Sequence, residues 1–469
     1  MSKVIQHTLL YGLSIVLMKG LSLIMLPFIA HHLSTDEFAK VEILSSLTII
    51  ASVVIGLGLD NGLYRFVGFA KTTAKKLRMA GAIYTLAVIV TVFTLIISTL
   101  IAPALATWLP GNIPTKAVYF ALAIVAFEGV VAIPLGWLRM YDKAGLFFCA
   151  TFGRVLIQAL LTVCFLLQDP SVTSIFIAGL MAVIAQALFL GYWQLQDVSL
   201  FINTRLYTVI LRYTAPIIGS GLCGFVLMGA DRWFIANMSE LEQVALYGVA
   251  AKFALGVVLL LQPYTMWWSP KRFLILEEEG GKQKVAQCIT LGMVILGMSG
   301  FVVITGTEFA LTLMMPEQYH DALSLLTVLV MAMMAKEAAE LINIGCFISA
   351  TTQTQWWINV SASALGLILL VWLTPLYGAL GAGIALCLAQ SLKCVLFFYY
   401  SQKQLFLSYS LTTLLGAPLF FLILGTGIQL YFTPMQQLSI GLGLVLLILG
   451  LGWVIWRNQY RPCVTSEGV

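Results

Sequence analysis

Apolar residues fall in long runs along this chain, and polar residues are confined to short interruptions between them. A spanning helix needs roughly 20 mostly apolar residues. By that rule about fourteen runs qualify. They fall at 9–30, 41–67, 79–102, 115–139, 144–168, 172–195, 207–231, 243–269, 284–306, 320–349, 355–376, 379–400, 411–431 and 437–457. The pattern predicts an all-α polytopic membrane protein. Connections are too short to hold a soluble domain, which excludes the nucleotide-binding domain of an ABC exporter. No phosphate-cradling GxxxxGK occurs either.

Composition agrees. Of 469 residues, 60% are hydrophobic and 10% charged. A soluble protein carries about 25% charged residues, so these charges cannot build a water-facing surface. The net charge of +5 has to be read by location. Lys71, Lys75, Lys76 and Arg78 follow the second run, and Arg139 and Lys143 the fourth. Arg205 and Arg212 follow the sixth, and Lys271, Arg272, Lys282 and Lys284 the eighth. Lys403 follows the twelfth, and Arg457 and Arg461 the last. Alternate connections therefore carry the basic residues. The positive-inside rule places both termini in the cytoplasm, and an even number of spans is required to keep that alternation. The first run carries Lys19 and lacks a small-residue cleavage site, so it reads as a retained helix, not a signal peptide. Cys149, Cys164, Cys223, Cys288, Cys346, Cys387, Cys394 and Cys463 show no metal-ligand spacing. They read as small core residues, and no metal or cofactor is expected.

An internal repeat organises the chain. "FIAHHLSTDEFAKVEI" leaves the first run and "FIANMSELEQVALYGV" the seventh, and Ile29, Ala30 and Ala39 match Ile235, Ala236 and Ala245 at an offset of 206. Six helices per repeat give both halves the same membrane orientation, as in many secondary transporters. The expected organisation is an N-lobe at 1–200, a C-lobe at 201–405, and two further helices with a cytoplasmic tail at 406–469. Pro27 in the first helix and Pro216 in the seventh occupy equivalent positions. Proline removes a backbone hydrogen bond, so both are candidate hinges.

Charges inside the runs carry the chemistry. A charge at the bilayer centre costs roughly 2.5–3.5 kcal/mol on insertion scales, so it is kept where it meets a partner or a cavity. Lys19, Arg65, Arg154, Lys252, Lys336 and Lys393 are such cations, and Asp60, Glu128, Asp231, Glu337 and Glu340 are the acids. Lys336 and Glu340 stand four apart on one helical face and form an expected pair, with Asn343 on the same face. Asn61 is placed to meet Arg65. Asp231 and Arg232 are adjacent and expected near the membrane surface. Lys19 and Lys252 have no acid within four residues, and Gly248 and Gly256 flank Lys252 one turn away on each side. A lumen with more free cations than acids attracts an anion, for which phosphate or diphosphate is a natural guest. Lys19, Arg65, Arg154, Lys252 and Lys336 are the candidate binding cations. Asp60, Glu128, Glu337 and Glu340 are the candidate coupling or pairing acids. Tyr64, Trp137, Trp233, Tyr264, Trp267 and Trp268 stand near these charges, where sugars could stack. Trp and Tyr also form the interfacial belts of any membrane protein.

At these residues the chain resembles a known family. "LPFIAHHLSTDEFAKVEILSSL", "ALYGVAAKFALGVVLLLQPYTMWWSP" and the 6+6+2 layout look like the polysaccharide-transporter branch of the MOP superfamily. These are Wzx-type O-antigen and oligosaccharide flippases, related to MurJ and more distantly to MATE exporters. Ala39-Lys40-Val41 stands where the family often carries Gly-x-Tyr. The resemblance implies transport of undecaprenyl-diphosphate-linked oligosaccharide from the cytoplasmic to the periplasmic leaflet of a bacterial inner membrane, by alternating access. It implies a cationic lumen for the diphosphate, to which helices 1, 2 and 8 contribute cations: here Lys19, Arg65 and Lys252. In MurJ-like members the last two helices form a groove for the lipid tail. Implied partners are the lipid-linked substrate, membrane lipids and polysaccharide polymerase or ligase machinery, with no nucleic acid and no enzymatic step. Two other classes compete. A cation-coupled MATE-type multidrug exporter would use acids such as Asp60, Glu337 and Glu340. A membrane-embedded glycosyltransferase or ligase would need acids or His in substantial periplasmic loops. The loops holding His31, His32, Asp36 and Glu37, and Glu308, Glu317, His320 and Asp321, are short.

Overall fold

In lipid, every backbone N–H and C=O must be satisfied within the chain, and a helix does this within one segment. The computed structural model describes residues 17, 20–68, 70–348 and 353–446, and no strand occurs among them. The helices are α1 (Gly20–His32), α2 (Thr35–Ile55), α3 (Leu59–Gly68), α4 (Thr73–Trp108), α5 (Thr115–Ala126), α6 (Glu128–Met140), α7 (Ala144–Leu166) and α8 (Val172–Asp197). Next come α9 (Thr204–Val226), α10 (Ala230–Met238), α11 (Leu241–Ala254), α12 (Gly256–Glu277) and α13 (Gly281–Met314). A 3-10 turn (Glu317–Ala322) precedes α14 (Leu323–Ile342), α15 (Ile344–Ile348), α16 (Gln353–Gln404), α17 (Leu411–Tyr431) and α18 (Pro434–Leu446). Among the described residues, eleven helical segments are long and apolar enough to cross a membrane, and α1 and α18 are shorter apolar helices. Each of the fourteen predicted runs coincides wholly or partly with a described helix. The start of the first run, with Lys19, and the end of the last lie outside the described residues.

The 52-residue α16 holds two predicted runs, and they divide at Gly378, whose φ of 57° and ψ of −133° interrupt the helix. A Cβ built on Gly381 would collide with the Leu373 carbonyl. Eight residues along an unbroken helix span about 12 Å, so the chain doubles back here. The Ala379 N–H donates to Gln243 Oε1 at 2.8 Å, and a Cβ on residue 378 would strike that oxygen. Only glycine serves at this position.

The seventh run corrects the sequence reading. It does not continue to residue 231 but stops at Val226, and Asp231 and Arg232 open a separate helix, α10. The repeat is visible at this point: α1 ends at 32 and α2 starts at 35, while α10 ends at 238 and α11 starts at 241. Both pairs differ by the offset read from the sequence. Ala30, Ala39, Ile235 and Ala245 are buried on both sides of the two turns.

The packing divides into two compact units, one of residues 1–248 and 359–385, the other of 249–358 and 386–469. In the first, α4 packs on α5 and α6, α5 on α2 and α8, and α7 on α8. Leu59, Leu63, Ile83, Tyr84, Ile133 and Trp137 form its core. Close approach depends on small residues, as membrane packing does generally. A Cβ on Gly129 would lie 3.2 Å from Ala87 Cβ, and one on Gly221 would lie 2.7 Å from Val53. In the second unit α13 is central, touching α12, α14 and α17. The Phe301 and Phe421 rings lie 6.0 Å apart, and Gly297 meets the backbone of Pro418. Hydroxyls within spans satisfy themselves on the preceding turn: Thr151 Oγ1 donates to Phe147 O and Thr305 Oγ1 to Phe301 O.

Candidate functional site

Several spans break in mid-course, and three of the breaks put an acid in the first turn of a new helix. The α2–α3 break passes through Leu57 and Gly58, both with positive φ, and puts Asp60 in the first turn of α3. The α5–α6 break at Phe127 puts Glu128 in the first turn of α6. The break after Leu227 puts Asp231 in the first turn of α10. The positive end of a helix dipole favours a carboxylate at such a position. This explains why acids are tolerated inside these spans.

Asp60 and Glu128 line one cavity of about 450 Å³, with Ser52, Tyr64, Arg139 and Arg154. The Ser52 hydroxyl donates to Glu128 Oε1 at 2.7 Å, and Asn61 Nδ2 donates to Asp60 Oδ1 at 3.1 Å. A larger cavity of about 770 Å³ adjoins it, bounded by α1, α6, α7 and α8. Arg139 and Arg154 line both cavities. Arg154 Nη1 donates to Gln186 Oε1 at 3.3 Å, and Gln186 Nε2 is anchored on Ala150 O at 3.1 Å. No carboxylate among the described residues stands within ion-pair distance of Arg154. Its guanidinium keeps N–H donors available for a guest.

Helical spacing builds these walls. On α7 the residues Thr151, Arg154, Gln158 and Thr162 line the larger cavity, following a 3, 4, 4 spacing that keeps them on one face. On α6 the residues Glu128, Ala132, Leu135 and Arg139 follow a 4, 3, 4 spacing toward the smaller one. The sequence reading took Arg139 only as an orientation charge; its place three turns after Glu128 was the missed signal. Ser52 and Gln186 were also missed.

The other predicted residues are placed elsewhere. Arg65 is exposed on α3 and stacks on the Tyr213 ring, 4.4 Å from its centroid. Asn61 turns to Asp60, not to Arg65 as expected. The expected Lys336–Glu340 pair does not form. Lys336 Nζ lies 3.1 Å from Glu337 Oε1, and Glu340 meets Lys393 of α16 at 3.7 Å. A contact across helices replaces the one along the helix. Asn343 does share the Glu340 face, donating to Glu340 Oε2 at 3.0 Å and accepting from Arg272 at 3.0 Å. Lys252 is half-buried in the last turn of α11. Pro27 and Pro216 lie within α1 and α9, and α9 continues through Pro216 to Val226. Trp137 is buried, with Nε1 donating to Asp197 at 2.9 Å. Tyr64 is the aromatic of the expected set that reaches the smaller cavity.

Asp231 and Arg232 pair with each other and with further partners. They form the centre of a network buried within the protein. Asp231 and Glu42 are 2% and 3% exposed. Arg232 lies 2.9 Å from Asp231 and 3.4 Å from Glu42, and the Tyr247 hydroxyl donates to Asp231 at 2.6 Å. Burial demands such pairing, since an isolated charge is costly.

These features define a multi-pass helical membrane protein with a charged cavity system inside one unit. A family model described as "Polysaccharide biosynthesis protein" matches residues 4–270, and the chain belongs to that family. Among solved structures it is similar to the lipid II flippase MurJ in an inward closed conformation. That match has 13% identity and a TM-score of 0.72, covering 97% of this chain and 99% of that one. It is also similar to an inward-facing multidrug resistance MATE family transporter of the MOP superfamily, at 15% identity and TM-score 0.60, covering 84% and 94%. A third is a MOP superfamily transporter from Pyrococcus furiosus, whose structure was described as having a binding pocket of reverse polarity. It has 16% identity and TM-score 0.55, covering 84% and 94%. At these identities the likeness is one of fold, and it places the chain in the MurJ- and MATE-like architecture. None of the curated proteins matches the sequence.

Proposed function

We propose that this protein is a flippase that moves diphosphate-linked lipid oligosaccharides from the cytoplasmic to the periplasmic leaflet by alternating access. The observation that carries the reading is Arg154: a cation inside a span, lining two cavities, with no acid in ion-pair distance among the described residues. Membership of a polysaccharide biosynthesis family supports it, as does likeness in fold to the lipid II flippase MurJ. In this reading Arg154 and Arg139 hold the diphosphate, while Lys19, Arg65, Lys252 and Lys336 supply further positive potential. Asp60 and Glu128 couple transport to an ion or tune the cavity charge. The substrate is an O-antigen, capsule or exopolysaccharide repeat unit, handed on to polymerase or ligase machinery. Lobes at 1–200 and 201–405 rock about Pro27 and Pro216, and residues 406–469 add two helices and a tail.

The protein sits in a bacterial inner membrane with both termini in the cytoplasm. Reporter fusions at Lys76, Lys143, Lys282 and Lys403 should then report cytoplasm, and those at Thr35, Asn112 and Gln318 periplasm; a periplasmic signal at Lys282 would reverse the orientation. The transport reading is tested by depleting the protein and assaying lipid-linked oligosaccharide in each leaflet. Accumulation on the cytoplasmic side is expected, and an unchanged distribution would reject a flippase. A second reading, a MATE-type exporter of cationic drugs, is favoured by Asp60 and Glu128 in the smaller cavity. It predicts loss of drug resistance on depletion, with lipid-linked sugar undisturbed.

A further inference from the structure

The two cavities form a sequence of environments. The larger is mostly apolar, walled by Leu21, Met25, Ile29 and Val155, with Thr151, Gln158 and Thr162 along α7 and the arginines Arg139 and Arg154 shared with its neighbour. The smaller, which shares those arginines, presents Ser52, Asp60, Tyr64 and Glu128 beside Ile49, Ile124 and Val131. The arrangement is therefore a mostly apolar chamber, shared cations, and a chamber of mixed polarity that holds the carboxylates. A ligand matching it has an apolar chain, then phosphates, then hydroxyl-rich groups. Hydroxyls pair with carboxylates and Ser or Thr, and sugar faces stack on rings such as Tyr64. The chamber of about 770 Å³ lies within the range of roughly 300–1,000 Å³ typical of ligand pockets.

We propose that the chamber bounded by α1, α6, α7 and α8 holds the phosphate-proximal part of a single isoprenoid chain. The diphosphate then lies at Arg139 and Arg154, and the first sugar enters the Ser52–Glu128 chamber. This rests on the flippase reading and deepens it by assigning the lipid a seat within the first packing unit. The chain passes from lipid hydrocarbon to an apolar wall, so its seat gains van der Waals packing and no desolvation. The guanidinium of Arg154, held by Gln186, is oriented before the ligand arrives, so less entropy is lost on binding. A two-chain phospholipid has a single phosphodiester and a second chain that this order of environments does not serve.

The test uses the full-length protein in nanodiscs, with farnesyl diphosphate, inorganic pyrophosphate and phosphatidylglycerol as probes. The wild type should bind farnesyl diphosphate far more tightly than pyrophosphate, with phosphatidylglycerol a poor competitor. Ala159→Phe and Val155→Phe, each filling the larger chamber from α7, should weaken farnesyl diphosphate at least tenfold. Pyrophosphate, which needs only the arginines, should still bind. Arg154→Ala should weaken both. If a filling variant is not stably made, Val155→Thr keeps the volume but not the polarity, and should also weaken the farnesyl probe. Farnesyl diphosphate binding unchanged in the folded chamber variants, or equal competition by phosphatidylglycerol, would overturn the lipid seat. Failure of the transport reading has a different signature: the probes behave as expected, yet depletion leaves the leaflet distribution of lipid-linked sugar unchanged.

Discussion

Arg154→Ala should abolish delivery of lipid-linked oligosaccharide to the periplasmic leaflet while the protein accumulates normally. Removal of a mid-span cation makes the helix easier to insert, so a fall in protein level is not expected. Gln186 loses one partner but keeps its bond to Ala150 O. What disappears is a cation whose donors are directed into both cavities. A hydrogen bond to a charged group contributes about 1.5–3 kcal/mol, which corresponds to a roughly ten- to hundredfold weaker hold on a diphosphate. Arg154→Lys should retain partial activity, because lysine keeps the charge but not the planar fork that grips two oxygens. The measurement is complementation of surface polysaccharide in a deletion strain, with protein levels matched by blot. Full complementation by the alanine variant would remove the main support for an anion-binding cavity.

Arg232→Met should be the most destabilising single change among the charged positions. It leaves Asp231 and Glu42, which are 2% and 3% exposed, without the guanidinium between them. Breaking a buried ion pair from one side costs about 3–5 kcal/mol, because the remaining charge stays uncompensated. The Tyr247 hydroxyl still donates to Asp231, but one neutral hydrogen bond does not replace a cation. Thermal unfolding in detergent should show a lower melting temperature, and steady-state levels should fall. Adding Asp231→Asn should recover part of the loss, since an uncompensated charge is then removed and the two sites are coupled. Equal melting of the single and double variants would show that Asp231 does not depend on Arg232.

The spans were legible because lipid imposes one solution on the backbone, and an apolar run of sufficient length suffices to state it. The doubling of the chain at Gly378 was legible too, as a gap between two runs. The mid-span breaks were less so. Leu57–Gly58 carries a glycine in a positive-φ turn, but at Phe127 the following Glu128 and Gly129 are also tolerated in a continuous helix, so they do not mark the break. Yet these breaks place Asp60 and Glu128. Pair partners were misread for a related reason. Spacing along one helix offered Glu340 to Lys336, but Lys393 reaches it from a distant part of the sequence, and only tertiary packing supplies that contact. Arg154 and Glu128 could be singled out as costly charges, whereas their convergence on one cavity system required knowing that α6 and α7 are neighbours.

The turn at Gly378 joins two helices with no slack. A residue inserted there cannot be absorbed by a loop, and every position after it in α16 would rotate by about 100° about the helix axis. Lys393 would then no longer face Glu340. In evolutionary terms the stretch from Gln353 to Gln404 is a fixed-length cassette: point substitutions away from Gly378 and Gly381 keep its register, whereas insertions and deletions at the turn are closed to the lineage. Diversification among substrates by change of length has to occur at other connections, and an epitope tag would be better tolerated there than at this end of the hairpin.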